Sequence, residues 1–149
     1  MPIKLAAPLI KDFPLERSDL ARGVETEPTI VTIIQASQGG KERRSLIHSE
    51  VTQVVNSESV LHREMQLRQK WSLEQLKRIE VFLTLVGCNI QDVDGQPLFK
   101  FKTDNGIPSL AMSEEEFRVA FYKLDPDVAD EIHEKVLEVN VSWQGPLES

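Results

Sequence analysis

The feature that most constrains this chain is the apolar run at residues 79–90, the densest apolar stretch in its sequence. Its residues before Gly87 continue a helical pattern that is apolar nearly all round, so we expect this helix to enter the core. Ser72 and Gln75 have the spacing of a capping box, which predicts that the helix begins at Ser72. Gly87 is a suitable residue to end it. The run therefore predicts an organising core rather than a catalytic centre.

The segment after this run contains a strong turn signal, Asp94-Gly95. This dipeptide favours a type I′ turn, in which both central residues have a positive φ. We therefore expect a hairpin formed by residues 89–93 and 96–101, with Pro97 placing its strand at a sheet edge. A second turn or loop signal follows at residues 104–108.

The rest of the chain contains one clear strand and several helical segments. Residues 29–36 are rich in β-branched side chains and lie between a proline and a glycine pair, which predicts a strand. Residues 41–55 have apolar positions at helical spacing. Two further helices begin at N-terminal signals, a capping box at residues 113–116 and a proline at residue 126, and the second of them ends near Asn140.

These elements predict an α+β fold, in which a small antiparallel sheet or hairpin packs with several α-helices. A chain of 149 residues is long enough for one modest core. The four prolines within residues 1–28 disfavour long helices, so we expect an extended N-terminal arm there. We therefore expect a single domain at residues 29–140, preceded by the arm at residues 1–28 and followed by a tail at residues 141–149.

The charge and composition of the chain argue against several classes of binding partner. The chain has 17 Lys and Arg against 24 Asp and Glu, a net charge of −7, which argues against binding nucleic acid or an anionic membrane nonspecifically. Cys88 is the one cysteine, so an intrachain disulfide is impossible. No apolar run approaches the roughly 20 residues that span a bilayer, and the N-terminus lacks a signal-peptide pattern. We expect a cytoplasmic protein that binds neither nucleic acid nor membrane.

Segments that resemble functional motifs lack essential residues. The glycine pair before Lys41 resembles a phosphate loop, but Gln35 and Glu42 stand where that loop needs a glycine and a Ser or Thr. Residues 92–95 begin like a calcium loop, but Thr103 occupies the position of its bidentate glutamate. The three histidines lie far apart, and no local pattern marks a nucleophile. We therefore predict no catalytic, cofactor-binding or metal site.

Protein binding is the chemistry that the sequence favours. An edge strand can extend a sheet with a partner. The candidate contact surfaces are the N-terminal arm and the strand at residues 29–34, with Ile30, Thr32 and Ile34 as its candidate residues. Trp71 and Trp143 lie in segments that we expect to be exposed, and tryptophans often anchor interfaces. These five residues are the candidate partner-binding residues.

The order of these elements resembles tail assembly chaperones of long-tailed bacteriophages. The likeness covers roughly residues 29–140 and rests on the turn before Pro97-Leu98-Phe99, on Ser113-Glu114-Glu115-Glu116-Phe117 and on the sequence from Leu124 to Ile132. The resemblance implies a noncatalytic protein of the host cytoplasm, without a cofactor. It further implies that the protein binds and solubilises the tape measure protein before the tail tube polymerises around it, with tail tube subunits and a homo-oligomer as additional candidates. The alternatives are a minor structural protein of the phage tail or neck and, more weakly, an enzyme.

Overall fold

The computed structural model of the protein describes residues 7–23, 27–55 and 62–144, and within these ranges the side chains outside residues 47–72. These residues form an α+β domain, as the sequence predicts. In chain order its elements are β1 (Ile10–Pro14), α1 (Glu16–Arg22), β2 (Ile30–Ile34), α2 (Gln38–Val55), α3 (His62–Thr84), β3 (Leu85–Cys88), β4 (Phe101–Asp104), β5 (Ile107–Leu110), α4 (Glu114–Phe121), α5 (Pro126–Val139) and a 3₁₀ turn (Val141–Trp143). No helix in the described ranges has both the length and the apolar character to cross a bilayer.

The main sheet has three antiparallel strands in the order β1-β2-β3. β2 confirms the strand predicted from its β-branched residues. Its alternate residues Val31 and Ile33 are fully buried and belong to the same core cluster as the apolar residues of α5. β1 and β3 pair with the two edges of β2, so β2 is the central strand of this sheet.

The type I′ hairpin forms at a different dipeptide from the one predicted. Asn105 and Gly106 have φ values of 53° and 79°, and they connect β4 to β5 as a two-residue turn. At the predicted site only Gly95 has a positive φ, 80°, and the flanking segments form a single bridge rather than two strands. The Asp92 carboxylate explains the difference, because it accepts hydrogen bonds from the backbone of Asp94 and Gln96 and so closes a three-residue loop.

The apolar run divides between a helix and a strand. α3 begins ten residues before Ser72, at His62, so the predicted start is wrong. It ends at Thr84, near the predicted end, but Gly87 lies in β3 and does not cap the helix. Residues 62–71 include several strong helix formers, which lets the helix continue through Ser72. Gly87 pairs with Thr32 in the sheet, and a Cβ atom at Gly87 would lie 2.9 Å from Thr32 Oγ1. The close approach of β3 to β2 therefore requires this glycine.

The core is centred on Phe117, which is completely buried. Its ring centroid lies 5.3 Å from that of Phe82 and 5.5 Å from those of Phe99 and Phe121. The capping box predicted at the start of α4 is confirmed, since Ser113 and Glu116 exchange hydrogen bonds between side chain and backbone. α5 begins with Pro126 and ends before Asn140, also as predicted.

Part of the N-terminal segment is integrated into the domain. Within residues 1–28, for which we expected an extended arm, Ile10–Pro14 form β1 and Glu16–Arg22 form α1. Leu15, between these two elements, is completely buried. The residue at the N-terminus of α1 offers no capping side chain, and Glu131 of α5 supplies the missing acceptor. A helix distant in sequence therefore fixes α1 on the domain.

Glu131 is a buried carboxylate with three donors. It accepts hydrogen bonds from Ser18 N at 2.9 Å, Ser18 Oγ at 2.6 Å and Arg17 N at 3.2 Å. Burial by itself raises the pKa of Glu131, but these hydrogen bonds outweigh it and hold the pKa below the ordinary value of a glutamate. The ionised carboxylate thus stabilises the first turn of α1.

This arrangement predicts an acid-dependent loss of stability. A folded-state pKa below the unfolded value means that Glu131 stabilises the fold above the unfolded pKa, and that this contribution disappears as the pH falls through the folded pKa. We expect Glu131→Gln to lower the free energy of unfolding at pH 7 by about 1–3 kcal/mol, and the difference from wild type to shrink near pH 3. Urea unfolding at both pH values measures this.

The control variant for this prediction is Glu134→Gln. Glu134 forms an exposed ion pair with Arg17 at 3.0 Å, and its side chain is 51 % exposed. We expect this variant to cost less than about 1 kcal/mol. An equal loss for Glu131→Gln at both pH values would contradict the assignment of the ionised carboxylate as the cap.

Candidate functional site

The candidate site is the face of the main sheet that points away from the core. Three cross-strand pairs form it, each with one residue from β1 and one from β2. We call this surface the outer sheet face and define it by the pairs Ile10–Ile34, Asp12–Thr32 and Pro14–Ile30. Ile10 and Ile30 are each 37 % exposed, and Ile34 is half-buried. The described elements therefore leave a partly apolar face open.

The alternation of β2 produces this face. Successive side chains of a strand point to opposite sides of the sheet. Val31 and Ile33 point into the core, so Ile30, Thr32 and Ile34 share the opposite side. Since both sides of β2 carry isoleucines, the core buries the apolar residues of one side, and those of the other side remain at least partly exposed.

The middle row of the outer sheet face is polar. Thr32 Oγ1 donates a hydrogen bond to Asp12 Oδ1 at 2.5 Å, and Asp12 is exposed. Gly87 lies beside Thr32 and carries no side chain, so the surface is recessed next to Thr32. The face thus consists of two apolar rows separated by one row with a negative charge.

The structure brings together three of the five candidate partner-binding residues. Ile30, Thr32 and Ile34 all lie on the outer sheet face, where only their side chains are available because the edges of β2 are paired. Trp143 is just 6 % exposed, and the Arg44 guanidinium lies 5.2 Å from its ring centroid. The expectation that Trp143 is exposed is therefore wrong. Trp71 belongs to α3, but its side chain lies outside the described residues.

Sequence reasoning missed the contribution of β1 to this face. Ile10, Asp12 and Pro14 fall in the segment for which the prolines favoured an arm. The available signal was the placement of Phe13 between Asp12 and Pro14, which puts an aromatic residue on the side opposite its neighbours. A strand of five residues ending in a proline is too short for that signal to decide.

A second group of functional residue types is buried where α2, α3 and α5 meet. Glu80 is 3 % exposed and binds Arg44 Nε at 2.7 Å and His133 Nε2 at 2.8 Å. A carboxylate and a histidine in contact are typical of acid–base catalysis. Neither Glu80 nor His133 lines the four clefts of the described surface that lie at residues 15–128, 74–129, 35–143 and 92–123. The group therefore joins the three helices through side-chain contacts.

The largest of these clefts has a volume of about 680 Å³ and lies between α1, residues 89–94 and the start of α5. Most of the carboxylates that line it are engaged within the protein. Asp19 accepts from the backbone and side chain of Thr29, and Asp125 pairs with Arg22. Among the described residues, no group of three or more metal-ligating side chains is arranged to hold a metal ion. The acidic rim of the cleft thus maintains the fold of its loops.

The remaining segments that resemble functional motifs have structural roles. The glycine pair before Lys41 lies in the first turn of α2, where Ser37 Oγ accepts a hydrogen bond from Gly40 N. Burial raises the pKa of the Cys88 thiol to about 11, although a hydrogen bond from Ile90 N opposes this shift. A protonated thiol is a weak nucleophile. Neither segment adds chemistry to the outer sheet face.

No family model, no curated protein and no solved structure matches the chain.

Proposed function

We propose that this protein is a noncatalytic assembly protein that binds another protein through the outer sheet face. The observation that carries this proposal is the pair of apolar rows, Ile10 with Ile34 and Pro14 with Ile30, on a sheet face that the described elements leave open. Burial of apolar surface in a complex contributes roughly 25 cal/mol per Å² before the costs of association. A partner that covers both rows gains this energy without any change in the fold of the domain.

The specific role that we propose is that of a phage tail assembly chaperone acting in the host cytoplasm. In this role the protein binds and solubilises the tape measure protein during tail morphogenesis. The order of the elements supports the proposal through the resemblance described above, and the net charge of −7 suits a protein that keeps an apolar partner soluble. The partly open apolar face supplies the contact surface.

The alternative proposal is a minor structural protein of the phage tail or neck. In that role the N-terminal segment acts as an extended arm that packs on a neighbouring subunit. Ile10–Pro14 and Glu16–Arg22 pack on their own domain, so most of the described part of this segment is already engaged. The chaperone role needs no such arm and is therefore the one we favour. Mass spectrometry of purified particles separates the two roles, because an assembly chaperone is missing from them.

Co-expression with the tape measure protein encoded downstream tests the chaperone proposal. We expect a complex that survives purification, and a larger soluble fraction of the tape measure protein than when it is expressed alone. The variant Ile30→Lys places a charge in an apolar row, so we expect it to abolish both effects. The matched control is Val119→Lys, because Val119 lies on α4 and is 52 % exposed. Absence of a complex with the wild-type protein would overturn the proposal.

A further inference from the structure

We propose that the outer sheet face binds an amphipathic helix of the partner protein, which lies along the strands and carries a Lys or Arg between two apolar residues. This inference rests on the proposed function, and it specifies the chemistry of the segment that the face accepts. Three observations support it. The apolar rows have the spacing of a helix, the middle row is negatively charged, and the edge strand β1 carries residues that disfavour the addition of a strand.

The two apolar rows are spaced for a helix. They lie four residues apart along the strands, which corresponds to about 13 Å. A helix rises about 1.5 Å per residue, so its positions i and i+8 lie about 12 Å apart, separated by about 80° around the axis and within one amphipathic stripe. A helix parallel to the strands therefore places one apolar side chain on each row. Position i+4 of the same helix lies over the middle row.

The middle row selects a positive charge at position i+4. Asp12 Oδ1 accepts the hydrogen bond from Thr32, whereas Asp12 Oδ2 accepts none from the described residues. None of the six residues of the face is cationic. A Lys or Arg above Asp12 pairs with its carboxylate, and Gly87, on the other side of Thr32, adds no side chain to this row. An acidic residue at this position would instead be repelled.

Two other occupants fit this surface less well. A strand added at the β1 edge would pair with Lys11, Asp12 and Pro14, which are of the kinds that protect sheet edges, and β3, the other edge strand, packs beside β5. A second copy of the chain packed face to face would bury two Asp12 carboxylates without a cation from either face. Burial of unpaired charges is costly. A helix from a different protein avoids both problems.

Two synthetic peptides test the proposal on the full chain. Both are alanine-rich helices with leucine at positions i and i+8, and they differ only at i+4, which is arginine in one and glutamate in the other. We expect the arginine peptide to shift the NMR signals of the methyl groups of Ile10, Ile30 and Ile34. We also expect it to bind about fivefold more tightly than the glutamate peptide, since exposed ion pairs contribute up to about 1 kcal/mol.

The variant Asp12→Asn isolates the contribution of charge. Asparagine keeps the shape of the residue and its acceptor for Thr32, so the apolar contacts remain while the preference for arginine disappears. Unchanged methyl signals at about 1 mM arginine peptide, which excludes binding stronger than about −4 kcal/mol, would overturn the proposal. A preference for arginine that persists in Asp12→Asn would also overturn it.

These outcomes are independent of the test of the chaperone role. If the tape measure protein co-purifies with the wild-type chain but the peptides leave the face unperturbed, the helix proposal fails and the chaperone proposal stands. If the arginine peptide binds the face but the tape measure protein does not co-purify, the chaperone proposal fails and the helix proposal stands.

Discussion

Phe117→Ala is expected to lower the free energy of unfolding by about 3–5 kcal/mol, the range measured for buried aromatic residues replaced by alanine. Phe117 is completely buried, and its ring contacts the rings of Phe82, Phe99 and Phe121. These residues come from α3, the segment between β3 and β4, and α4. A cavity at Phe117 therefore removes contacts from three parts of the domain at once.

Urea unfolding followed by circular dichroism measures this effect. The matched control is Val119→Ala on the same helix, where the side chain is 52 % exposed and the expected loss is below about 0.5 kcal/mol. Because alanine is a better helix former than valine, the control also separates packing from helix propensity. A loss below 1 kcal/mol for Phe117→Ala would show that the core is not centred on this residue.

The parts of the fold that the sequence predicts are those governed by local chemistry. β2 follows from its β-branched residues, and the start of α4 follows from Ser113 and Glu116, whose side chains complete the capping box. Pro126 similarly marks the start of α5. In each case the residues that determine the element lie within it or next to it. The α+β class follows from these elements together.

The turns show where local chemistry is ambiguous. Asp94-Gly95 and Asn105-Gly106 have similar preferences for a type I′ turn. The second pair forms it because the β4 and β5 residues on either side align as strands. At the first pair, the Asp92 side chain binds the backbone of the loop and favours a different geometry. The choice therefore depends on a side-chain contact that the dipeptide itself does not encode.

The parts that the sequence does not predict depend on contacts between distant residues. Glu131 caps α1 from a position more than a hundred residues away, and this contact brings a proline-containing segment into the domain. Gly87 resembles a helix C-cap in sequence but serves the close pairing with Thr32. The sequence predicts only the β2 half of the outer sheet face. Ile30, Thr32 and Ile34 lie in a segment with a clear strand pattern, whereas the segment of Ile10, Asp12 and Pro14 has none.

The burial of Trp143 has a related cause. The sequence predicts no helix or strand at residues 141–149, and for that reason Trp143 is expected to be exposed. Here Asn140 ends α5 and accepts a hydrogen bond from Ala36 N through its side chain. The chain then makes the short 3₁₀ turn that brings Trp143 beneath the Arg44 side chain. The indole therefore contributes to the buried ionic group and not to a docking surface.

Glu80→Ala is expected to lower the free energy of unfolding by about 3–5 kcal/mol, because it removes one partner from a buried ion pair. Glu80 is 3 % exposed, and the Arg44 side chain that it binds is 15 % exposed. Without the carboxylate, the contacts that the described residues leave to the guanidinium are the face of Trp143 and a long contact of 3.5 Å to the Trp143 carbonyl oxygen. Thermal and urea unfolding measure the loss.

The double variant Glu80→Met, Arg44→Met determines whether the loss reflects the charge left behind or the packing of the site. Methionine fills a similar volume and removes both charges, and such replacements of buried pairs are often neutral or stabilising. We therefore expect the double variant to be more stable than Glu80→Ala. Equal losses in both variants would mean that the contacts of Glu80 with His133 and the surrounding helices, rather than the unpaired guanidinium, account for the effect. Hydrogen exchange in the first turns of α2 distinguishes these cases, because an unpaired Arg44 loosens α2 whereas a lost His133 contact loosens α5.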